Sequence, residues 1–300
     1  MSGGIKKPPL LLGILFRLPW FLKRYILTHP LSWRVFTGVC RRTGWDYEQL
    51  GWYLPNNGPY SGILLPALHP NCLWLPLGGY EPEVTRRLVH LLTDPVWGCV
   101  GCEFWDVGAH QGYTSLLCAK YGSRRVTAFE PDATNLAYLA ENLAANPALR
   151  GRIEVLPVAV AEASGEAQLE SPDDLSQCRL ISHEFAARAG SPGGLHVTTV
   201  TSVTLDSILS EGRTPPGLMK IDVEGAEHLV LRGARQLVQR FHPVILLEYH
   251  NAEARKQCVA FLEEAGYSIF ALNGKRSGSE PLEGSAYGHV LAAYGKGAHR

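Results

Sequence analysis

The stretch Lys220-Ile221-Asp222-Val223-Glu224-Gly225-Ala226-Glu227 constrains the fold most, because an apolar strand, Leu218 to Val223, ends there in carboxylates and a helix begins at once. In a parallel α/β sheet, ligands bind in the crevice outside the carboxyl ends of the strands, so acids at such an ending point at chemistry. About a hundred residues earlier the chain repeats the device. Glu103-Phe104-Trp105-Asp106-Val107 is an apolar strand ending in an acid, and Gly108-Ala109-His110-Gln111-Gly112 is a glycine turn leading into a helix that starts near Tyr113. Two aligned strand-end acids in one sheet describe a small-molecule site.

The chain between and after these blocks fits the same architecture. Arg125 to Phe129 reads as a second strand closed by Glu130-Pro131, with Asp132 as N-cap of the helix through Leu136, Leu139, Ala140 and Leu143. Ile153 to Val160 is a third β-rich run, Val244 to Glu248 a fifth after the Leu218 strand, and Tyr267 to Leu272 with His289 to Tyr294 close the sheet. Strand–helix alternation of this kind predicts a mostly parallel, Rossmann-like α/β sheet with helices on both faces. Right-handed crossovers put the first two strand endings side by side.

What binds there follows from the glycines and charges. A dinucleotide turn wants G-x-G-x-x-G, whereas this one has only Gly108 and Gly112, and Asp106 adds negative charge where a phosphate would sit. A cation suits the site better. S-adenosylmethionine carries a sulfonium and an ammonium but no phosphate, so Asp106 attracts its amino group and Glu130 accepts from its ribose hydroxyls. The residues expected to line the cofactor site are Asp106, Gly108, Ala109, His110, Gly112, Glu130, Pro131 and Asp222. An acid at the Glu130 position serves an NAD ribose equally, which leaves an NAD-binding oxidoreductase as an alternative.

Six blocks in order carry a resemblance. Asp106 to Ser115, Ala128-Phe129-Glu130-Pro131, Thr204-Leu205-Asp206-Ser207-Ile208, Lys220 to Glu227, Leu231-Arg232-Gly233-Ala234 and Pro243 to Glu248 resemble the FkbM family of S-adenosylmethionine-dependent methyltransferases. The likeness covers roughly residues 80 to 250, with Tyr80-Glu81-Pro82 similar to the family's segment just before the core. It implies a class I methyltransferase sheet and methyl transfer to a hydroxyl of a sugar, glycolipid or other small-molecule acceptor. His110-Gln111 stands where the family commonly has Asn-Ile.

An alcohol acceptor must lose a proton, and a carboxylate or imidazole within hydrogen-bond reach serves as general base. The strand-end candidates are Asp222, Glu224, Glu248 and His250, with Asp222, Glu224 and His250 expected to be catalytic. Asp222 ends the strand beside the first and is expected nearest the methyl group. The same four residues are hard ligands that suit Mg²⁺, but no spacing enforces a site, and no metal is assigned.

Net charge is zero, yet unevenly spread. The first acid is Asp46, and Lys6, Lys7, Arg17, Lys23, Arg24, Arg34, Arg41 and Arg42 precede it. The interleaved apolar residues from Leu10 to Leu22 are too few for a span of about 20 and are interrupted by Arg17 and Pro19. Residues 6–24 are therefore expected to meet an anionic membrane surface peripherally, or else to pack on protein. A non-catalytic, membrane-tethered scaffold is the corresponding alternative function. The domains expected are a basic apolar extension over 1–50, a lead-in over 51–98 and the methyltransferase domain over 99–300.

No cleavable leader pattern is present, so a cytoplasmic location is expected. Basic residues sit in an apolar extension with no basic aromatic face, which argues against nucleic acid. Cys99-Val100-Gly101-Cys102 has no second pair to complete a structural zinc site, and an odd count of seven cysteines argues against a disulfide framework. The polar segment from Ser171 through Gly190–Gly194 to His196 is expected to be a lid over the site or a surface insertion. No feature sets an oligomeric state.

Overall fold

The computed structural model describes residues 52–53, 58–66, 81–172, 179–181, 195–272 and 288–295. The basic apolar segment 6–24, the Gly190–Gly194 loop and Cys40, Cys72 and Cys178 lie outside them. Among the described residues, no helix is long and apolar enough to cross a membrane. The chain divides into two compact units, residues 1–86 with 144–147, and residues 87–143 with 148–300.

In the smaller unit, β1 (Trp52–Tyr53) pairs antiparallel with β2 (Leu65–Pro66). Asn146 ties the turn before β2, since its Nδ2 donates to the Leu64 carbonyl and its Oδ1 accepts from the Leu64 amide, both at 2.7 Å. Helix α1 spans Pro82–Thr93.

The larger unit is built on seven strands, β3 (Glu103–Val107), β4 (Arg125–Phe129), β5 (Ile153–Leu156), β10 (Leu218–Ile221), β11 (Val244–Tyr249), β12 (Tyr267–Phe270) and β13 (Gly288–Tyr294). Their order is β12-β13-β11-β10-β3-β4-β5, and β13 alone runs antiparallel to its neighbours. From β3 the chain moves to one side through β4 and β5, then returns to the other side at β10. That reversal beside β3 is the topological switch point at which such sheets bind ligands.

β10 is buried throughout and the last four residues of β3 are buried, as expected for central strands covered on both faces. Trp105 packs edge-on to Phe129 at 5.6 Å, within a core that also takes Met219, Ile221, Val230, Leu237, Ile245 and Leu262. Helices α2 (Tyr113–Lys120) and α3 (Ala133–Ala145) follow β3 and β4. Asp132 caps α3 as anticipated, its Oδ1 accepting from the Thr134 and Asn135 amides. The short α4 (Pro147–Arg150) then leads to β5.

Between β5 and β10 lies a second sheet that the sequence reading did not anticipate. β6 (Ala159–Val160), β7 (Gly165–Pro172), β8 (Arg179–Ile181) and β9 (Leu195–Val203) assemble in the order β6-β9-β7-β8. The run Ile153 to Val160 is thus two strands in two sheets, and both flanks of the expected lid are paired strand. β7 reads as polar loop because Gly, Glu, Gln and Pro dominate it; its strand character comes from the long ladder with the β-branched β9.

After β9, Thr204 caps α5 (Leu205–Ser210), its Oγ1 accepting from the Ser207 amide. Asp206 reaches out of α5 to accept from the Gln236 and Leu237 amides, at 2.9 Å each, which caps the start of α7 (Arg235–Phe241). α6 (Glu227–Arg232) precedes it, and α8 (Ala252–Glu264), capped by Asn251, follows β11. Two orphan helix donors therefore depend on one carboxylate. Asp206→Ala is expected to cost about 1–2 kcal/mol, seen as a melting temperature lower by roughly 2–8 °C; an unchanged melting temperature would mean that water replaces the cap at no cost.

Candidate active site

The ends of β3 and β10 are joined directly. The Asp222 amide donates to the Val107 carbonyl, continuing the ladder in which Ile221 faces Val107 and Lys220 faces Asp106. Gly108 then turns with φ +81°, and a Cβ there would lie 1.8 Å from the Asp222 carbonyl oxygen. Only glycine lets the two strand ends approach this closely. Gly112, at φ +80°, precedes α2 and faces Leu139.

Asp106 is 1% exposed. Its Oδ2 accepts from the Ser115 hydroxyl at 2.6 Å, while Oδ1 has no partner among the described residues. Burial raises its pKa to about 6, against the pull of Lys220 and the Ser115 hydrogen bond. A buried carboxylate oxygen without a donor fits a cationic ligand group. Glu130, at the end of β4, is also buried; its Oε2 accepts from the His110 amide at 2.7 Å and its Oε1 from the Asp132 amide and the Asn135 Nδ2. Burial pushes its pKa to about 7 despite these three donors. His110 itself has φ +50°, turning its amide toward Glu130.

The second cluster lies at the ends of β10 and β11. Lys220, nearly fully buried, donates to Asp222 Oδ2. Burial would raise the Asp222 pKa, but the Lys220 charge overrides it and holds the carboxyl below its usual value. Glu224, with φ +53°, places Oε2 3.1 Å from His250 Nε2. Asp222 Oδ1 and Glu248 Oε1 are each 3.8 Å from the same nitrogen.

On the other side of the ring, His250 Nδ1 lies 2.7 Å from Oε1 of Glu227, which also accepts from the Gly225 amide. Burial opposes the charge on His250, yet Glu227, Glu224 and Asp222 outweigh it and push its pKa up to about 9. For Glu224, burial and the neighbouring carboxylates outweigh the imidazole and raise the pKa to about 7. Glu248 Oε2 is engaged by His289 Nε2 at 2.9 Å.

Asp222, Glu224 and His250, each a candidate base from sequence, are thus brought into one cluster, and Asp106, Gly108, His110 and Glu130 into a neighbouring one. Three participants were not singled out as functional. They are Lys220, Glu227 and Ser115. Glu227 lies in the same eight-residue block as Asp222, but its partner is 23 positions away. The four described cysteines, Cys99, Cys102, Cys118 and Cys258, form no disulfide among themselves.

The family profile described as "Methyltransferase FkbM domain" matches residues 106–269. Among curated proteins, hexuronic acid methyltransferase AglP of Haloferax volcanii is 30% identical over 166 residues, covering 55% of this chain and 62% of that protein. Methyltransferase sdnD of Sordaria araneosa is 28% identical over 189 residues, covering 55% of this chain and 73% of that protein. Among solved structures, an FkbM methyltransferase from Methylobacillus flagellatus aligns with a TM-score of 0.47 at 18% identity, over 74% of this chain and 52% of that one.

The close approach at Gly108 is testable by stability alone. Gly108→Ala is expected to cost on the order of 4 kcal/mol or more, because it adds a backbone clash to a left-handed φ. Gly122, at φ +102°, has nothing within 4 Å of the Cβ position. Gly122→Ala should therefore cost only about 1–2 kcal/mol. Equal urea midpoints for the two variants would remove the Asp222 contact as the reason for Gly108.

Proposed function

Because the chain belongs to the FkbM methyltransferase family, we propose that it transfers a methyl group from S-adenosylmethionine to a hydroxyl of a sugar or related small molecule. The observation that carries this reading is the buried, half-satisfied carboxylate of Asp106 at the switch point, beside Glu130 and the Gly108 turn. S-adenosylmethionine, when bound, supplies an activated methyl group on a sulfonium. The name of AglP, a hexuronic acid methyltransferase, supports an acidic sugar as the first acceptor to try.

In this reading Asp106 Oδ1 accepts from the cofactor's ammonium group. Glu130 receives the ribose, and since three protein donors already occupy it, about one of its four lone-pair sites is left for a direct hydrogen bond. Gly108, Ala109, His110, Gly112 and Pro131 shape the turn around the cofactor. Asp222, Glu224 and His250 line the acceptor side, and Asp222, the carboxylate held ionised by Lys220, receives the hydroxyl proton. Glu227 holds the imidazole by Nδ1 so that Nε2 faces the reacting side, the arrangement by which a third group orients a base. Lys220 fixes Asp222 by one oxygen and leaves the other turned toward His250.

The raised pKa values of Asp106 and Glu130, about 6 and about 7, set a pH dependence. Both groups are protonated below these values and cannot receive donors from the cofactor as carboxylates. Affinity for S-adenosylmethionine is expected to rise as pH increases from 5.5 to 8, and binding near pH 6.5 to release protons. Calorimetry in buffers of different ionisation enthalpy measures both. Glu130→Ala should weaken binding at pH 8 by at least tenfold, since a hydrogen bond to a charged acceptor is worth roughly 1.5–3 kcal/mol. A pH-independent affinity, or binding of NAD in place of S-adenosylmethionine, would overturn this assignment.

Transfer itself is read with methyl-labelled cofactor and a panel of hexuronic acids and neutral sugars. Asp222→Asn keeps the side-chain volume but removes the charge, and is expected to lower kcat about a hundredfold or more with cofactor affinity within a few-fold of wild type. Unchanged turnover with much weaker cofactor binding would instead make Asp222 a cofactor contact.

A further inference from the structure

We propose that Asp222, Glu224 and His250 bind one divalent transition-series cation, with Glu227 as the residue that orients His250 for it. Nothing in the linear spacing assigns a metal, because the ligands come from the ends of two strands. The fold gathers them. Each offers one ligand atom, and the three atoms lie within 4.8 Å of one another. A cation about 2.1 Å from each ligand places adjacent ligands about 3 Å apart and opposite ones about 4.2 Å apart. The separations from His250 Nε2, 3.1 Å to Glu224 Oε2 and 3.8 Å to Asp222 Oδ1, fall in that range.

The second observation is on the far side of the imidazole. Glu227 is fully buried; its Oε1 meets His250 Nδ1 at 2.7 Å, and its Oε2 has no partner among the described residues. A buried carboxylate on Nδ1 makes that nitrogen the donor and turns the Nε2 lone pair toward Glu224 and Asp222. A histidine bound to metal almost always donates its other N–H in this way. Charge points in the same direction. Asp222, Glu224, Glu227 and Glu248 all contact the one ring, while the cationic groups beside them are Lys220, His289 and His250 itself. Four carboxylates exceed these three even if both imidazoles carry a proton. A mixed imidazole and carboxylate set suits Mn²⁺ or a similar ion.

The site is read from these residues alone, whereas its use, holding and polarising the acceptor hydroxyl oxygen, rests on the methyl-transfer reading above. The test is titration of the metal-stripped full chain with Mn²⁺, followed by loss of the free-ion electron paramagnetic resonance signal. S-adenosylmethionine affinity is measured on the same samples. One Mn²⁺ per chain is expected, with nitrogen hyperfine coupling that disappears in His250→Ala. Glu224→Gln, a near-isosteric change at a partly exposed position, should weaken binding at least tenfold, which keeps the test open if His250→Ala fails to fold.

Glu227→Gln, at a residue that touches no metal, should weaken Mn²⁺ by about 10–100-fold. Glu166→Gln, on the exposed start of β7, should leave it unchanged. Binding of S-adenosylmethionine without stoichiometric Mn²⁺, or Mn²⁺ binding indifferent to both His250→Ala and Glu224→Gln, overturns the metal site and leaves the methyltransferase reading standing. The ring would then be an imidazolium caged by carboxylates. Mn²⁺ binding with the expected variant pattern but no affinity for S-adenosylmethionine would leave the site and remove the role given to it.

Discussion

The backbone contact between Gly108 and Asp222 is the constraint on which the rest of the site depends. β3 and β10 pair in parallel, and their ladder is extended by the Asp222 amide to the Val107 carbonyl, so the turn leaving β3 must pass directly against the turn leaving β10. A side chain on residue 108 would overlap the Asp222 carbonyl. With that approach secured, Asp106, Lys220 and Asp222 become neighbours although more than a hundred positions separate the first from the other two. Moving either strand by one residue would send these side chains to the opposite face of the sheet.

Putting so many acids at one rim is costly, and the structure offsets the cost unevenly. Asp222 is neutralised by Lys220 at close range, so its charge is stable in place. Among the described residues no cation forms an ion pair with Asp106 or Glu130, and burial raises both pKa values although Lys220 pulls on the first. Those two carboxylates lie on the side proposed for the cofactor, whose cation and hydroxyls would complete them. Around His250 the balance is different again, with carboxylates in contact with both ring nitrogens. Perturbed carboxylates and imidazoles of this kind cluster at functional sites, although structural ion-pair networks carry them too.

Much of this was legible in the chain. The alternation of apolar runs with helical patterns predicted the parallel sheet, and acids at the ends of β3, β4 and β10 identified its rim. Asp132 was readable as a helix cap because capping is local chemistry over three residues. The β6–β9 sheet was not legible. β7 carries residues of low strand propensity, and its ladder with β9 spans about thirty positions, so no local pattern announces it.

The sequence by itself determined the fold class, the position of the switch point and the acidic character of its rim, because hydrophobic period and turn chemistry are properties of short windows. Only the tertiary structure decided which acids meet which cations. Lys220 and Asp222 are two positions apart on one strand end, but that Glu227 holds one nitrogen of His250 and that Glu224 faces the other depend on strand order and register across distant segments. Such partnerships are set by packing the whole sheet, where a single slip exchanges one face for the other, and no spacing along the chain contains that information.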